Sequence, residues 1–261
     1  MIVGLPMVAT RVKASAMERR SQENQQHAAV TGSPGEGARN AGLYRAIWPI
    51  PILLLLAGVV IGLAVPYDLP PLFAVIGLLG MALVLGGALV WSNRRLRRHL
   101  KGAEGEERIA RTLSFLPSDY FVFHSLWLPG DAMGPKGPND VDHLVVGPTG
   151  VYALETKNWN GEISVDEDGV KVNGRSPSRP PLQQVYQGAR AVRELLLAEA
   201  GLPLHVRPVL CFAGRDATLH AEVSGVLVCD GGNLLEVLQS AQGEQLEQGK
   251  IERIVEALQE R

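Results

Sequence analysis

Between Arg45 and Asp68 the chain carries no charged residue, and between Asp68 and Arg94 it again carries none. Each stretch, 46–66 (AIWPIPILLLLAGVVIGLAVP) and 69–91 (LPPLFAVIGLLGMALVLGGALVW), has the roughly 20 apolar residues that cross about 30 Å of hydrocarbon at helical rise. The pair predicts two transmembrane helices. Trp48, Tyr67 and Trp91 stand near the ends, where aromatic rings anchor at the interface. Pro49 and Pro51 fall in the first turn of the first helix, where a missing N–H costs little. Gly58 and Gly62 form a G-x-x-x-G face, repeated in spacing by Ala82 and Gly86, and predict close approach of the helices. The connection PYDLPP makes the pair a tight hairpin with both chain ends on one side. After Trp91 comes SNRRLRRHLK, while the hairpin loop has no Lys or Arg. The positive-inside rule therefore places the N-terminus and residues 92–261 in the cytoplasm, with the protein integral to the cell membrane. The basic run 92–101 reads as a juxtamembrane linker facing anionic lipid.

Outside this hairpin the composition is ordinary. Residues 1–45 mix Ser, Gln, Asn, Gly and scattered charges without a period and read as a disordered cytoplasmic tail; the opening residues are too short and weakly apolar for a signal-peptide core. A net charge of −2 gives no global attraction for nucleic acid, so any such contact must be local. Cys211 and Cys229 each sit in an apolar strand-like run (VLCF, VLVC) and read as buried thiols of a reducing compartment.

Residues 102–261 read as an α/β domain. Apolar periodicity and turn residues predict a helix at 103–116, strands at 121–127, 141–146 and 151–158, and a short strand pair within 162–172. A helix at 182–199, strands at 206–212 and 225–229, and helices at 233–240 and 246–259 complete the order.

The stretch VDHLVVGPTGVYALETKNW, 141–159, carries the chemistry. If Gly147-Pro148-Thr149-Gly150 joins Val146 to Val151, Leu144 faces Ala153 and Asp142 faces Glu155. Directly opposed Cβ atoms lie about 4.5–5.5 Å apart. Lys157, two residues past Glu155, shares its face. Side-by-side carboxylates repel, so a partly buried pair either raises one pKa or recruits a cation. Hard oxygen ligands of this kind suit Mg²⁺ or Mn²⁺, and Lys157 would orient the attacking water or offset charge on phosphorus. A solvated Asp-Glu-Lys cluster on a sheet face is the bland alternative. Apolar residues on both faces of these strands argue against it, because they make the carboxylates inward-looking and buried charges need partners.

The segment VDHLVVGPTGVYALETKNWNG resembles the central signature of the nuclease-related domain (NERD) family, a branch of the PD-(D/E)xK restriction-endonuclease-like superfamily. The resemblance runs from Gly102 to Leu197. It implies a restriction-endonuclease-like mixed sheet flanked by helices, with Asp142 and Glu155 as metal ligands and Lys157 as the catalytic lysine. GAEGEERIARTL resembles the family's opening helix and makes Glu106 an additional acidic residue. Independently, Ile109, Ala110 and Leu113 follow Glu106 at helical spacing and place it on the inward face; a helix-dipole role would suit it equally. RPPLQQVYQGARAVRELL resembles the family's proline–glutamine helix start, with Gln184 as the matching residue. Pro180 stands where the family has asparagine, which leaves Gln183 as an alternative.

Other candidates are weaker. His143 alternates to the face opposite Asp142 and reads as a packed residue, and His124, His205 and His220 lack ligand spacing. Walker-type, dinucleotide and G-x-S-x-G patterns are absent. Lys136, Arg175 and Arg179 could touch a phosphate backbone or be solvated loop charges. The sequence therefore predicts a membrane-anchored Mg²⁺-dependent phosphodiesterase acting on nucleic acid, with DNA the default. The rival is a non-catalytic, membrane-tethered nucleic-acid- or protein-binding module retaining the fold. Two spans without intramembrane charge speak against a transporter.

Overall fold

The computed structural model describes residues 27–35, 47, 49–64, 70–128, 140–166, 169–214, 219–240 and 244–260. They fall into two units, one holding residues up to Pro34 and from Gly105 onward, the other Gly35–Glu104.

The smaller unit contains α1 (Pro49–Ala64) and the first part of α2 (Pro71–Leu113). Among the described residues no helix is long and apolar enough to cross a membrane. Helix α1 has 16 residues, and along the uncharged part of α2 several side chains lie outside the described ones. The expected two-span hairpin is thus not shown, and residues 65–69 of its connection lie outside the described residues. Among the described residues the expected small-residue contact is not seen: a Cβ built on Gly58, Gly62 or Gly86 meets nothing within 4 Å. What this unit does show is a run of exposed apolar side chains, among them Leu54, Leu55, Leu72, Leu79 and Leu83. The linker expected at 92–101 is helical and continuous with α2. Its Arg, Leu and Lys are strong helix formers and it contains no proline.

The larger unit is the expected α/β domain. Seven strands form one mixed sheet in the order β1-β2-β3-β4-β7-β9-β8. They are β1 (Ala29–Thr31), β2 (Phe121–Trp127), β3 (Asp140–Gly147), β4 (Gly150–Lys157), β7 (Val206–Phe212), β8 (His220–Val223) and β9 (Val226–Asp230). Strands β5 (Ile163–Asp166) and β6 (Gly169–Val172) form a separate hairpin after β4. Helix α3 (Pro181–Ala200) crosses back before β7, and α4 (Leu234–Ser240) and α5 (Gln248–Gln259) end the chain. Proline at the start of α3 suits a position with no hydrogen bond to lose, and Gly201 at its end takes the left-handed φ of 64°.

Alternation along the central strands divides the core into two layers. Leu144, Val146, Val151 and Ala153 pack with Val192 and Leu196 of α3 and Ile251 and Ile254 of α5. Val145, Tyr152, Leu154 and Cys211 face Ile109 and Leu113 at the end of α2 and Leu234 and Leu238 of α4. A sheet covered on both faces explains why β3 and β4 are apolar almost throughout.

Two elements depart from expectation. Ala29–Thr31, within the tail expected to be disordered, forms the edge strand β1, parallel to β2 with Val30 beside Val122. His220–Val223 forms the opposite edge, β8, where exposed residues hide any alternating signal.

Candidate active site

The β3–β4 hairpin sets the geometry. Leu144 pairs with Ala153, Val146 with Val151 and Gly147 with Gly150, as the sequence register requires. The glycines themselves pair, so the turn proper is Pro148-Thr149, and Gly150 adopts a φ of 132° that only glycine tolerates freely. Two tyrosines lock this turn: Tyr120 Oη shares a hydrogen bond with Thr149 Oγ1 (2.9 Å), and Tyr152 Oη donates to the Thr149 carbonyl (2.7 Å).

Carried one residue past its last rung, His143 with Leu154, this register sets Asp142 opposite Glu155. There the ladder ends and side chains take over. The backbone N–H of Thr156 donates to Asp142 Oδ2 at 2.7 Å. Lys157 Nζ donates to Glu155 Oε1 at 2.5 Å and to Gln184 Oε1 at 3.1 Å. Gln184 thus meets Lys157, whereas its neighbour Gln183 is exposed. Pro181 starts α3 so that Gln184 falls in its first turn, over the end of β4.

The electrostatics of this end of the sheet are strained. Burial pushes the Asp142 carboxyl well above the usual carboxylate range, and the charges of Glu155 and Glu106 push it further. Burial also raises Glu155; the adjacent Lys157 pulls it back, Asp140 raises it and Arg179 lowers it. Glu106 thus belongs to the cluster, carried on the same turns of α2 as buried Ile109 and Leu113.

Asp140 was not among the expected residues. Burial raises its carboxyl, and the D-x-D spacing with Asp142 was the available signal. Asn158 was missed too. A Cβ on Gly105 would come within 2.6 Å of Asn158 Cβ, and one on Gly214 within 2.7 Å of its Oδ1. Asn158 therefore fills a slot between two glycines and ties the end of β4 to the residue preceding Glu106. Nothing local in the sequence announces a contact across 53 and 56 residues, from Gly105 and from Gly214.

His143 and His124 are packing residues, as alternation predicted for His143, whereas His205 and His220 are exposed. His143 and His124 pair across β2 and β3 with their Nδ1 atoms 2.8 Å apart, one donating and one accepting. Burial lowers the His124 pKa to about 4 and pushes His143 well below its usual value, so both are neutral. Cys211 and Cys229 are buried free thiols on neighbouring strands. Arg175 and Arg179 are exposed, and Lys136 lies outside the described residues.

Among the described residues no group of three or more His, Cys, Asp or Glu side chains is arranged to hold a metal ion. Asp142 and Glu155 alone still suit Mg²⁺ or Mn²⁺, which commonly take one or two carboxylates and complete their shell with water and phosphate oxygens. Two buried, mutually repelling carboxyls are the electrostatic condition that a divalent cation relieves.

An uncharacterized protein of Bacillus anthracis is 30% identical over 126 residues, covering 44% of this chain and 57% of its own length. The chain thus spans little more than half of the curated relative it matches. No solved structure matches the chain. Residues 101–213, the segment that supplies Glu106, Asp142, Glu155, Lys157 and Gln184, match the nuclease-related domain (NERD) family, as their resemblance to its signature implied.

Proposed function

We propose that the protein is a membrane-tethered, Mg²⁺- or Mn²⁺-dependent phosphodiesterase acting on nucleic acid, with DNA the favoured substrate. The observation that carries this reading is the convergence of Asp142, Glu155, Lys157 and Gln184 at one end of β3, β4 and α3. Asp142 and Glu155 would hold the metal, which when bound would polarise the phosphate and acidify its water. Lys157, bridged between Glu155 and Gln184, is held where it can orient the attacking water and offset charge developing on phosphorus. Gln184 fixes the direction of the ammonium. Glu106 adds negative charge from α2 and strengthens the attraction for a cation.

Membrane tethering rests on the uncharged runs 46–66 and 69–91 and on the apolar side chains that α1 and α2 leave exposed. Bilayer hydrocarbon is the environment that accommodates them. The basic run 92–101 favours a cytoplasmic location for the catalytic unit.

The test is cleavage of linear, circular and branched DNA and of RNA by the purified full chain with Mg²⁺, Mn²⁺ or EDTA. Cutting should require metal and fall at least about a hundredfold in Lys157→Ala, the scale of losing a group that moves a proton or stabilises charge in the transition state. Absence of cutting by folded protein on every substrate would favour the non-catalytic binding module.

A further inference from the structure

Trp127 closes β2 and is 61% exposed, although large aromatic residues are ordinarily mostly buried. In the sheet register it stands directly opposite Asp140, two residues before Asp142 on β3. Strand spacing and rise put the Cα atoms of Trp127 and Asp142 about 8 Å apart. The intervening geometry is distorted. Ser125, which the register places opposite Asp142, takes a φ of 51°, rare for a residue with a Cβ, and the β2–β3 pairing is interrupted there. Ser125 Oγ holds this kink by donating to the Ser33 carbonyl at 3.0 Å. Beside the kink lies a cavity of about 310 Å³, bordered by Thr31, Gly32, Phe123, Leu126, Trp127 and Leu258. An open aromatic surface and an apolar recess therefore lie next to the carboxylate end of the sheet.

From this placement we propose that Trp127 is the stacking platform for an unpaired nucleobase next to the phosphate that Asp142 and Glu155 address. The inference rests on the nucleic-acid reading above and narrows it to a substrate class. Bases inside an intact duplex have both faces covered by their neighbours. A free indole can engage only a base that is single-stranded, frayed or turned out. Stacking on an aromatic ring is tolerant of sequence, because every base has a π-face. The substrate is then single-stranded nucleic acid or an opened end, read without sequence preference at this position. Trp127 acts as a positioning residue: it holds the neighbouring nucleotide while the carboxylates and Lys157 face the phosphate.

The experiment measures binding of the full chain, in EDTA, to a fluorescein-labelled oligothymidylate 12-mer and to a blunt 12-base-pair duplex by anisotropy. Trp127→Ala should weaken single-strand binding roughly tenfold, the loss typical of one base–aromatic stack. Trp127→Phe should stay within about threefold of the parent, and duplex binding should change less than about twofold in either variant. Unchanged single-strand affinity in Trp127→Ala overturns the proposal. So does an equal loss on the duplex, or a phenylalanine variant as weak as the alanine one. Because the readout needs neither metal nor turnover, it separates the two readings. An inactive protein that loses single strands with Trp127→Ala keeps this inference and removes the hydrolase; an active nuclease indifferent to Trp127 does the reverse.

Discussion

Asp142→Asn is expected to yield a protein that is more stable than the parent and unable to cut nucleic acid. Burial and the charges of Glu155 and Glu106 hold the Asp142 carboxyl well above its ordinary pKa in the fold. The native state therefore binds this proton more tightly than the unfolded chain does, and stability falls as pH rises from the ordinary Asp value through the raised one. The penalty grows as pH rises toward the raised value; below the ordinary Asp range it is gone. Asparagine removes the charge, and its side-chain oxygen can still accept the Thr156 N–H that Asp142 Oδ2 takes at 2.7 Å. The gain should be about 1–2 kcal/mol, raising Tm by roughly 3–6 °C at pH 7 and shrinking toward zero below pH 4. Magnesium gives the complementary result. At about a hundredfold excess over its Kd it should stabilise the parent by roughly 2.7 kcal/mol and leave Asp142→Asn nearly unmoved. Thermal melts of both proteins across pH, with Mg²⁺ or EDTA, measure all of this. An asparagine variant less stable than the parent at neutral pH would mean that Asp142 is an ordinary structural acceptor rather than a strained ligand.

The largest loss of stability is expected from Gly147→Ala. A Cβ there would lie 2.2 Å from Cδ1 and 2.5 Å from Cε1 of Tyr120. The ring cannot swing aside: it is buried in the core with Val122, Val145 and Tyr152, and its hydroxyl is bonded to Thr149. The backbone cannot move away either, because Gly147 pairs with Gly150 at the turn. Overpacking of this kind costs about 3 kcal/mol, enough to lower Tm by roughly 6–12 °C. The turn fixes the β3–β4 register, so cleavage should fall along with stability. Combining Gly147→Ala with Tyr120→Leu should recover part of the loss, since the clash partner is then smaller. Urea unfolding of the two single variants and the double decides it; a cost under about 0.5 kcal/mol for Gly147→Ala would show that the tyrosine yields.

Residues close in sequence were the ones whose placement could be read in advance. The short turn at Gly147–Gly150 fixes which side chains of β3 and β4 oppose each other, because the length of a hairpin loop sets the register of the strands it joins. Asp142, Glu155 and Lys157 follow from that register alone. Asn158, slotted between Gly105 and Gly214, depends on three distant segments meeting, and no local period encodes it. Edge strands were the other blind spot. Ala29–Thr31 and His220–Val223 are three and four residues long with largely exposed side chains, so the burial that produces alternation elsewhere is missing. The helical continuity of 92–101 with α2 was hidden for a different reason: a run of arginines signals charge, yet arginine is also a good helix former.

The edge strand β1 constrains the topology of the chain by parity. Ala29–Thr31 precedes both uncharged stretches and Phe121–Trp127 follows them, yet the two strands lie side by side in one sheet. A chain that leaves a compartment at one strand and returns to pair with it at the next has crossed any boundary an even number of times. A single-span anchor between Thr31 and Phe121 is thus incompatible with the sheet. Removing the first 35 residues would strip more than a tail: the outer edge of β2, beside Trp127, would be left with unpaired backbone groups open to another strand.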